Sequence, residues 1–256
     1  MADPLRYLID NVQKLGGWLR AGKETRFHLN RALWDAGYPW TRLQPEPLTA
    51  LFPGIEDVSF EVVHPFRRSR GTSLELEELV ALLAVQKFTK AMRVIEVGTF
   101  DGNTTLNLAA NVDAGGLVVT LDLPPEGSTT TDYAGTGKPA AFAARQYVGH
   151  PAEARIRQVY GDSAALDWSS FGGTFDLAFL DGDHSTRYVR SDTQKALGVL
   201  RPGGLVVWHD YEYRSVSVVL DAAVAAGEEI HWIRGTRLAV GRFPDPAKSA
   251  PRFAVA

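Results

Sequence analysis

Carboxylate and imidazole side chains follow two β-rich segments of the sequence, FLDGDHS at residues 179–185 and VVWHDY at residues 206–211. Neighbouring parallel strands lie about 4.8 Å apart, so groups at their carboxyl ends can share one ion. Asp181 and Asp210 are therefore candidate ligands of a hard divalent cation, Mg²⁺ or Ca²⁺. An imidazole from His209 would favour Mn²⁺, Fe²⁺ or Zn²⁺ instead. The alternative is that His209 and Asp210 only hydrogen-bond the loops at the end of the sheet.

The first segment also indicates proton transfer. A neutral hydroxyl is a poor nucleophile, and a nearby base that removes its proton activates it. His184 stands just before a helix predicted to begin near Ser185, where the positive end of the helix dipole favours the neutral, proton-accepting imidazole. Asp183 is expected to orient His184, to cap this helix or to touch a cation. A structural capping role is the alternative for His184.

A glycine-rich turn, VIEVGTFDGNTT, follows the first predicted strand and opens a helix, which is where α/β proteins bind nucleotides. The dinucleotide pattern G-x-G-x-x-G, read from Gly98, has Phe100 in place of its second glycine and Asn103 in place of its third. A phenylalanine side chain prevents the backbone from approaching a pyrophosphate. The turn therefore disfavours NAD, and a plain turn between strand and helix is the alternative reading.

The stretch E-V-G-T-F-D-G-N-T-T resembles the first motif of class I S-adenosylmethionine-dependent methyltransferases, and more narrowly of their catechol-type and related bacterial O-methyltransferase branch. The resemblance covers about residues 72–243 and implies that the turn binds S-adenosylmethionine, which has no phosphates. Asp122 would accept hydrogen bonds from the ribose hydroxyls, and the GDS segment at 161–163 would hold the adenine, although a turn or cap is the alternative for Asp162. The cofactor contacts that the resemblance implies are Glu96, Gly98, Thr99, Phe100, Gly102, Asp122, Asp162 and Ser163.

The same resemblance implies a metal site and a base. In the catechol-type enzymes an aspartate ends strand four and an Asp-Asn pair ends strand five, and all three residues bind Mg²⁺. Asp181 matches the first position, whereas His209 stands in the aspartate place and Asp210 in the asparagine place. His184 stands three residues after Asp181, where those enzymes have a lysine base. The implied roles are thus His184 as base and Asp181, His209 and Asp210 as ligands of Mg²⁺, with Mn²⁺, Ca²⁺, Fe²⁺ and Zn²⁺ as alternatives.

From about residue 90 onward, β-rich runs alternate with helix-like stretches, which predicts a doubly wound α/β fold with a mostly parallel sheet. The seven runs are RVIEVG (93–98), LVVTLD (117–122), RIRQVYG (155–161), FDLAFLD (175–181), GLVVWHD (204–210), EIHWIR (229–234) and RLAVGRF (237–243). Gly235 and Thr236 separate the last two runs, which predicts an antiparallel hairpin. The resemblance implies the strand order 3-2-1-4-5-7-6 with the last strand antiparallel, the cofactor over strands one and two, and the acceptor over strands four and five.

Helix-like stretches separate these runs, and a further helix precedes them. Thr72 and Glu75 fit a capping box that opens the helix LELEELVALLAVQKF. We therefore divide the chain into an N-terminal extension with helical and irregular parts at residues 1–71, serving as a cap, a lid or a dimer contact, and a Rossmann-like methyltransferase domain at residues 72–256. The threonine-, glycine- and proline-rich loop at 123–138 is expected to be a lid near the ribose or a disordered insert.

Composition excludes several classes of function. The 256 residues are 45% hydrophobic, enough for a sizeable core, and the formal net charge of −3 indicates no basic face for nucleic acid. The absence of cysteine excludes disulfides, thiolate metal sites and cysteine nucleophiles. No apolar run approaches the length of a membrane span and the first residues lack the apolar core of a signal peptide, so we expect a soluble, cytoplasmic protein.

The leading hypothesis is an S-adenosylmethionine-dependent O-methyltransferase that acts on a hydroxylated small molecule with the help of a divalent cation. Its N-terminal extension is a candidate surface for homo-oligomer formation. One alternative is an NAD(P)-dependent Rossmann-fold oxidoreductase, which Phe100 and Asn103 disfavour. The other is a non-catalytic binding module with the methyltransferase fold.

Overall fold

A computed structural model gives the fold and describes residues 43–66, 74–124 and 145–254. All of these residues belong to the unit Thr41–Ala256. The described part is a mixed α/β structure built on a single eight-stranded sheet. None of its helices is long and apolar enough to cross a membrane.

Seven of the eight strands are those predicted from the sequence. In chain order the strands are β1 Pro45–Glu46, β2 Arg93–Val97, β3 Leu117–Asp122, β4 Ile156–Tyr160, β5 Phe175–Leu180, β6 Leu200–Trp208, β7 Ile230–Ile233 and β8 Ala239–Phe243. Their order across the sheet is β1-β7-β8-β6-β5-β2-β3-β4. Strand β8 is antiparallel to β6 and β7, and the other pairs are parallel. The predicted fold and the hairpin are thus confirmed, and β1 adds a strand at the edge, beside β7.

The central strands are apolar along nearly their whole length because the sheet buries them on both faces. Strand β5 reads FDLAFL, and its Leu177, Ala178 and Phe179 are fully buried. In the pairing of β5 with β6, Leu180 lies opposite Trp208. The residues that follow these two positions, Asp181 and His209, therefore leave the sheet side by side.

The described residues also form six α-helices and four short 3₁₀ turns. The helices are α1 Leu48–Leu51, α2 Leu76–Phe88, α3 Asn103–Asn111, α4 Thr186–Val199, α5 Arg214–Ala225 and α6 Pro246–Ser249. Within the described ranges the 3₁₀ turns are Ile55–Asp57, Pro151–Arg155, Trp168–Phe171 and Ala250–Phe253. Helix α2 packs against α3, and α4 packs against α5. The helices predicted between strands at α3, α4 and α5 are confirmed.

The capping box of α2 lies one turn later than the sequence predicted. Helix α2 begins at Leu76, and its N-cap is Glu75, whose backbone amide donates to Glu78 Oε2 at 2.9 Å while its own side chain accepts from the Glu78 amide. The sequence predicted Thr72 as the N-cap and Glu75 as its partner. That prediction was wrong, because Glu75 is itself the N-cap, the residue with extended backbone before the first helical turn. Thr72 itself lies outside the described residues.

Residues 43–66, part of the predicted N-terminal extension, pack onto the sheet domain. Asn107 of α3 donates to the Val63 carbonyl at 3.0 Å and accepts from its amide at 2.7 Å, and Asn111 binds the backbone of Glu61 in the same way. Phe52, Ile55 and Val63 belong to the main hydrophobic core. The predicted boundary after residue 71 and the predicted dimer contact stay predictions. Residues 1–42, 67–73 and 125–144, which include most of the predicted lid loop, lie outside the described residues.

Candidate active site

Two glycines shape the turn that follows β2. Gly98 has φ of +96°, and a Cβ there would lie 2.1 Å from the carbonyl oxygen of Asp181. Gly102 has φ of +77° and precedes α3, where a Cβ would lie 2.8 Å from the ring of Tyr147. Both positions therefore need glycine for their backbone conformation and for the space. The turn and the end of β5 touch through backbone alone.

A cleft opens beside this turn, with about 440 Å³ of empty space that includes its solvent-open mouth. The cleft is lined by Val97, Gly98, Leu121, Asp122, Leu123, Gly161, Asp162, Ser163, Gly182, Asp183 and Tyr188. The structure thus brings four of the predicted cofactor residues to one surface: Gly98, Asp122, Asp162 and Ser163.

The other four predicted cofactor residues are not among those that line the cleft. Phe100 has φ of +48°, and its backbone amide donates to Asp122 Oδ2 at 2.9 Å. The hydroxyl of Thr99 is buried, 2.7 Å from that of Thr120. Together with Gly102, these residues shape the turn, and they do not line the cleft.

Glu96, the fourth of these residues, is a fully buried carboxyl group on β2. The hydroxyls of Thr105 and Thr120 donate to Oε2 at 2.5 and 2.6 Å, whereas Oε1 has no hydrogen-bond partner. Burial raises the pKa of Glu96 to about 8, although the two hydroxyl donors oppose the shift. Glu96 is therefore mostly protonated at neutral pH, and its hydrogen bonds with Thr105 and Thr120 connect β2 to α3 and β3.

Asp122 ends β3 and has partners on both carboxylate oxygens. Oδ1 accepts from the Leu123 amide at 2.8 Å, and Oδ2 accepts from the Phe100 amide and from Arg145 Nη2, both at 2.9 Å. Burial raises the pKa of Asp122, and the charge of Arg145 opposes the shift. Sequence reasoning missed Arg145, because nothing local marks it as the partner of a residue 23 positions away. Oδ1 can still accept another donor, such as a ligand hydroxyl.

Asp162 makes the local turn that the sequence left open as the alternative to a cofactor contact. Its Oδ1 accepts from the Ala164 amide at 2.8 Å, which is a local turn, and Asp162 also lines the cleft. Its Oδ2 accepts from the hydroxyl of Tyr188 on α4 at 3.1 Å. Tyr188, which sequence reasoning also missed, lines the cleft and holds the Asp162 carboxylate in place.

Four side chains meet at the ends of β5 and β6: Asp181, His184, His209 and Asp210. Each offers one ligand atom, and the four atoms lie within 4.8 Å of one another. Two carboxylates and two imidazoles suit a divalent cation, and the nitrogen donors favour Mn²⁺, Fe²⁺ or Zn²⁺ over Mg²⁺. The donor set therefore fits a divalent cation. The three predicted ligands lie together, and His184, predicted as a base, is a fourth candidate.

His209 is buried between two carboxylates. Its Nδ1 lies 2.8 Å from Asp181 Oδ1, and its Nε2 lies 3.2 Å from Glu78 Oε2. Burial lowers the pKa of His209, but the charges of Asp181 and Asp210 outweigh it and raise the pKa well above its usual value. Burial likewise raises the pKa of Asp181, but the two histidines outweigh it and lower that pKa to about 2. Opposite charges hold the cluster together.

His184 lies beside two carboxylates, which raise its pKa. Its Nε2 lies 3.2 Å from Asp210 Oδ2 and 3.4 Å from Asp181 Oδ1. Burial lowers the pKa of His184, but these two carboxylates outweigh burial and raise it. The direction of this pKa shift is opposite to the one expected from the dipole of α4, because the nearby carboxylates dominate. Asp183 accepts from the Ser185 amide at 2.7 Å, which is a turn just before α4 and not a helix cap, because Ser185 is itself the N-cap.

Glu78 and Arg237 hold this cluster from behind. Arg237 donates to Glu78 Oε1 through Nε at 2.8 Å and to Glu78 Oε2 through Nη2 at 2.9 Å. It also donates to Asp210 Oδ1 through Nη1 at 2.7 Å. Asp210 has φ of +52°, a backbone conformation that residues other than glycine rarely adopt. Sequence reasoning missed both residues, since the predicted capping box involved Thr72 and Glu75 and gave no signal at Glu78.

Residues 95–211 match the model of a protein family described as a methyltransferase domain. Cofactor-bound Rv0187 from MTB is 19% identical with a TM-score of 0.51, over 84% of this chain and 96% of that one. The O-methyltransferase TomG from Streptomyces achromogenes, solved in complex with SAM, is 18% identical with a TM-score of 0.44, over 86% and 81% of the two chains. The O-methyltransferase from Bacillus cereus, solved in complex with SAH, is 17% identical with a TM-score of 0.45, over 88% and 83%. The family match spans the glycine turn, Asp122 and both segments of the cluster.

Proposed function

We propose that this chain, whose residues 95–211 match the model of a methyltransferase domain, transfers the methyl group of S-adenosylmethionine to a hydroxyl group of a small molecule. One observation carries the proposal. A single turn after β5 serves both halves of the site, because Gly182 and Asp183 line the cleft while Asp181 and His184 belong to the cluster. A methyl donor in the cleft would lie beside the cluster, where an acceptor hydroxyl can be deprotonated.

The cleft offers each part of the methyl donor a matching group. The glycine turn at Gly98 receives the methionine end, which carries no phosphate and needs no row of backbone donors. Asp122 accepts a ribose hydroxyl at Oδ1. Asp162 and Ser163, at the end of β4, meet the adenine, with Tyr188 holding Asp162.

Asp181, His209 and Asp210 are the proposed ligands of a divalent cation. When bound, the cation supplies Lewis-acid chemistry that makes an acceptor hydroxyl more acidic. His184 is the proposed base: in its neutral form it receives the hydroxyl proton beside both aspartates, whose carboxylates stabilise the imidazolium that forms. The hydroxyl oxygen then bonds to the methyl carbon as the carbon–sulfur bond breaks, which leaves a neutral thioether.

Calorimetric titration with S-adenosylmethionine tests the cofactor part. The wild type is expected to bind, and Asp122→Asn should bind about 10- to 100-fold more weakly, because it loses a charged hydrogen-bond acceptor. Asp113→Asn is the control, since Asp113 is exposed and pairs only with Lys87 on the surface among the described residues. No binding to the wild type at millimolar cofactor would overturn the proposal, and enhanced NADH fluorescence on mixing would favour the oxidoreductase reading.

The cation part has a separate test. Methyl transfer to a panel of phenols, sugars and hydroxy acids is measured before and after exhaustive chelation, and with Asp210→Ala. We expect both treatments to abolish transfer and added divalent cation to restore it only in the wild type. Transfer that survives both treatments would remove the cation from the proposal and leave the cofactor part standing.

A further inference from the structure

A fully buried carboxylate stands directly behind the proposed cation site. Glu78 lies in the first turn of α2 and is completely inaccessible to solvent. Its contact with His209 joins residues 131 positions apart in the sequence. None of the proposed steps of methyl transfer uses Glu78, so its place behind a candidate ligand needs its own explanation.

We propose that Glu78 is a positioning residue that fixes His209 as a cation ligand through Nδ1 and thereby biases the site toward imidazole-preferring divalent cations. The inference rests on the cation site of the proposed function. Ligand histidines commonly donate their second ring N–H to a carboxylate, which sets the tautomer and the orientation of the ring. Glu78 supplies such an acceptor at Nε2.

The geometry leaves one nitrogen for a cation. An ionised carboxylate only accepts, so at the 3.2 Å contact His209 Nε2 carries the hydrogen. The other nitrogen also faces a carboxylate and carries a hydrogen, which a bound cation would replace. That nitrogen, Nδ1, faces Asp181 Oδ1 at 2.8 Å and Asp210 Oδ1 at 3.4 Å, which places it inside the cluster.

Arg237 and the helix cap prevent Glu78 from turning away. Oε1 accepts from the backbone amide of Arg237 at 2.9 Å and from its Nε at 2.8 Å. Oε2 accepts from Arg237 Nη2 and from the Glu75 amide, both at 2.9 Å. With both oxygens occupied by donors, the carboxylate keeps its orientation toward His209. The positive charge of Arg237 also offsets the negative charge of Glu78, so the effect on the cation comes through the orientation of the ring.

The consequence is a choice between cations. Strictly oxygen-donor sites suit Mg²⁺ and Ca²⁺, whereas a fixed imidazole nitrogen raises the affinity for Mn²⁺, Co²⁺ or Zn²⁺. If Glu78 fixes that nitrogen, its removal weakens the second group of ions more than the first. A purely structural carboxylate would affect both groups alike or neither.

The test titrates Co²⁺ and Mg²⁺ separately into the full chain by calorimetry, with visible absorption of Co²⁺ as a second readout. Glu78→Gln is expected to weaken Co²⁺ binding by about 10- to 100-fold, the usual cost of losing such a partner, and Mg²⁺ binding by much less. Glu75→Ala is the matched control, because it breaks the same capping box and leaves the backbone donor and the contact with His209. The control should change neither affinity by more than about twofold.

Each outcome separates the two claims. No binding of either ion to the wild type would overturn the cation site and this inference with it, while leaving the cofactor titration untouched. Binding to the wild type that Glu78→Gln leaves unchanged, or lowers equally for both ions, overturns only the role of Glu78. If Glu78→Gln does not fold, Glu78→Asp replaces it in the test. This variant keeps the charge but shortens the side chain by one methylene, so we expect an intermediate loss of Co²⁺ affinity. Unchanged Co²⁺ affinity would refute the proposal. In a His209→Asp background, Glu78→Gln should no longer change the ratio of the two affinities.

Discussion

Replacing Gly98 with alanine perturbs the closest backbone approach in the site. An added Cβ would lie 2.1 Å from the Asp181 carbonyl oxygen, whereas real Cβ contacts essentially never fall below 3.0 Å. The turn and the end of β5 would have to separate by about 0.9 Å, the difference between these distances. Since the opposing atoms belong to the backbone, no side-chain rotation relieves the overlap. The separation would displace Asp181, the proposed ligand at the end of β5.

Gly115 provides a matched control for this change. Its φ is +86°, close to the +96° of Gly98, but nothing lies within 4 Å of an added Cβ. Gly115→Ala therefore costs only the left-handed backbone, about 1–2 kcal/mol in the free energy of unfolding. Gly98→Ala adds an overpacking cost of about 1–3 kcal/mol. A displacement near 1 Å in a catalytic site also lowers the rate by about 100-fold.

Urea unfolding measures the free energy of unfolding of each variant. Cation titration and methyl-transfer assays detect the displacement of Asp181. We expect Gly98→Ala to be less stable than Gly115→Ala by the overpacking cost, and only Gly98→Ala to lose cation affinity and activity. If the two variants are equally stable and both bind the cation as the wild type does, the close approach between turn and strand does not exist in solution, and the reasoning is refuted.

Two further changes test the groups beneath and beside the cleft. The pKa of Glu96 rises from its ordinary 4.5 to about 8 on folding. Between these pH values the folded protein keeps a proton that the unfolded chain releases, so the contribution of Glu96 to the stability of the wild type falls as the pH rises. Glu96→Gln should therefore gain stability relative to the wild type from about pH 5 to about pH 8 in urea unfolding, and a constant difference would contradict the buried, protonated carboxyl. Tyr188→Phe removes a donor to Asp162 worth about 0.5–1.5 kcal/mol, so S-adenosylmethionine should bind about 2- to 10-fold more weakly in calorimetry. Cation affinity should not change, and its loss would show that Tyr188 acts on the cluster instead.

The sequence predicted those parts of the fold that have local signals. Apolar runs bounded by glycine and proline marked seven strands, and the two-residue connection at Gly235 and Thr236 marked the hairpin. Strand β1 has no such signal, because Pro45–Glu46 is only two residues long and pairs through its backbone. Its partner is the Arg234 amide, which donates to the Glu46 carbonyl at 2.9 Å. A strand this short forms only where an edge is already in place.

The candidate site also has parts that local sequence signals predicted and parts that they did not. Asp181 and His209 could be placed side by side from sequence, because each directly follows a strand and the strands are neighbours in a parallel sheet. The charge state of His184 could not, since it depends on carboxylates from two different strand ends. Arg145 was missed for a similar reason, because its partner Asp122 stands 23 positions away in the sequence. Local pattern predicts position, whereas burial and charge pairing need the assembled structure.

The histidine at the end of β6, where the resemblance to catechol-type enzymes implies an aspartate, therefore has to be judged with the residue behind it. A carboxylate ligand needs no partner to expose a lone pair, whereas an imidazole presents one from a chosen nitrogen only if the other nitrogen donates to an acceptor. An aspartate-to-histidine exchange at the end of β6 thus calls for a buried acceptor on an element that packs against that end. Here the first turn of α2 supplies it as Glu78, within a pattern that looks like an ordinary helix cap. An acid at this helix position together with a histidine at the end of β6 is then a paired signal that can be sought in sequence, and its two members are expected to change together.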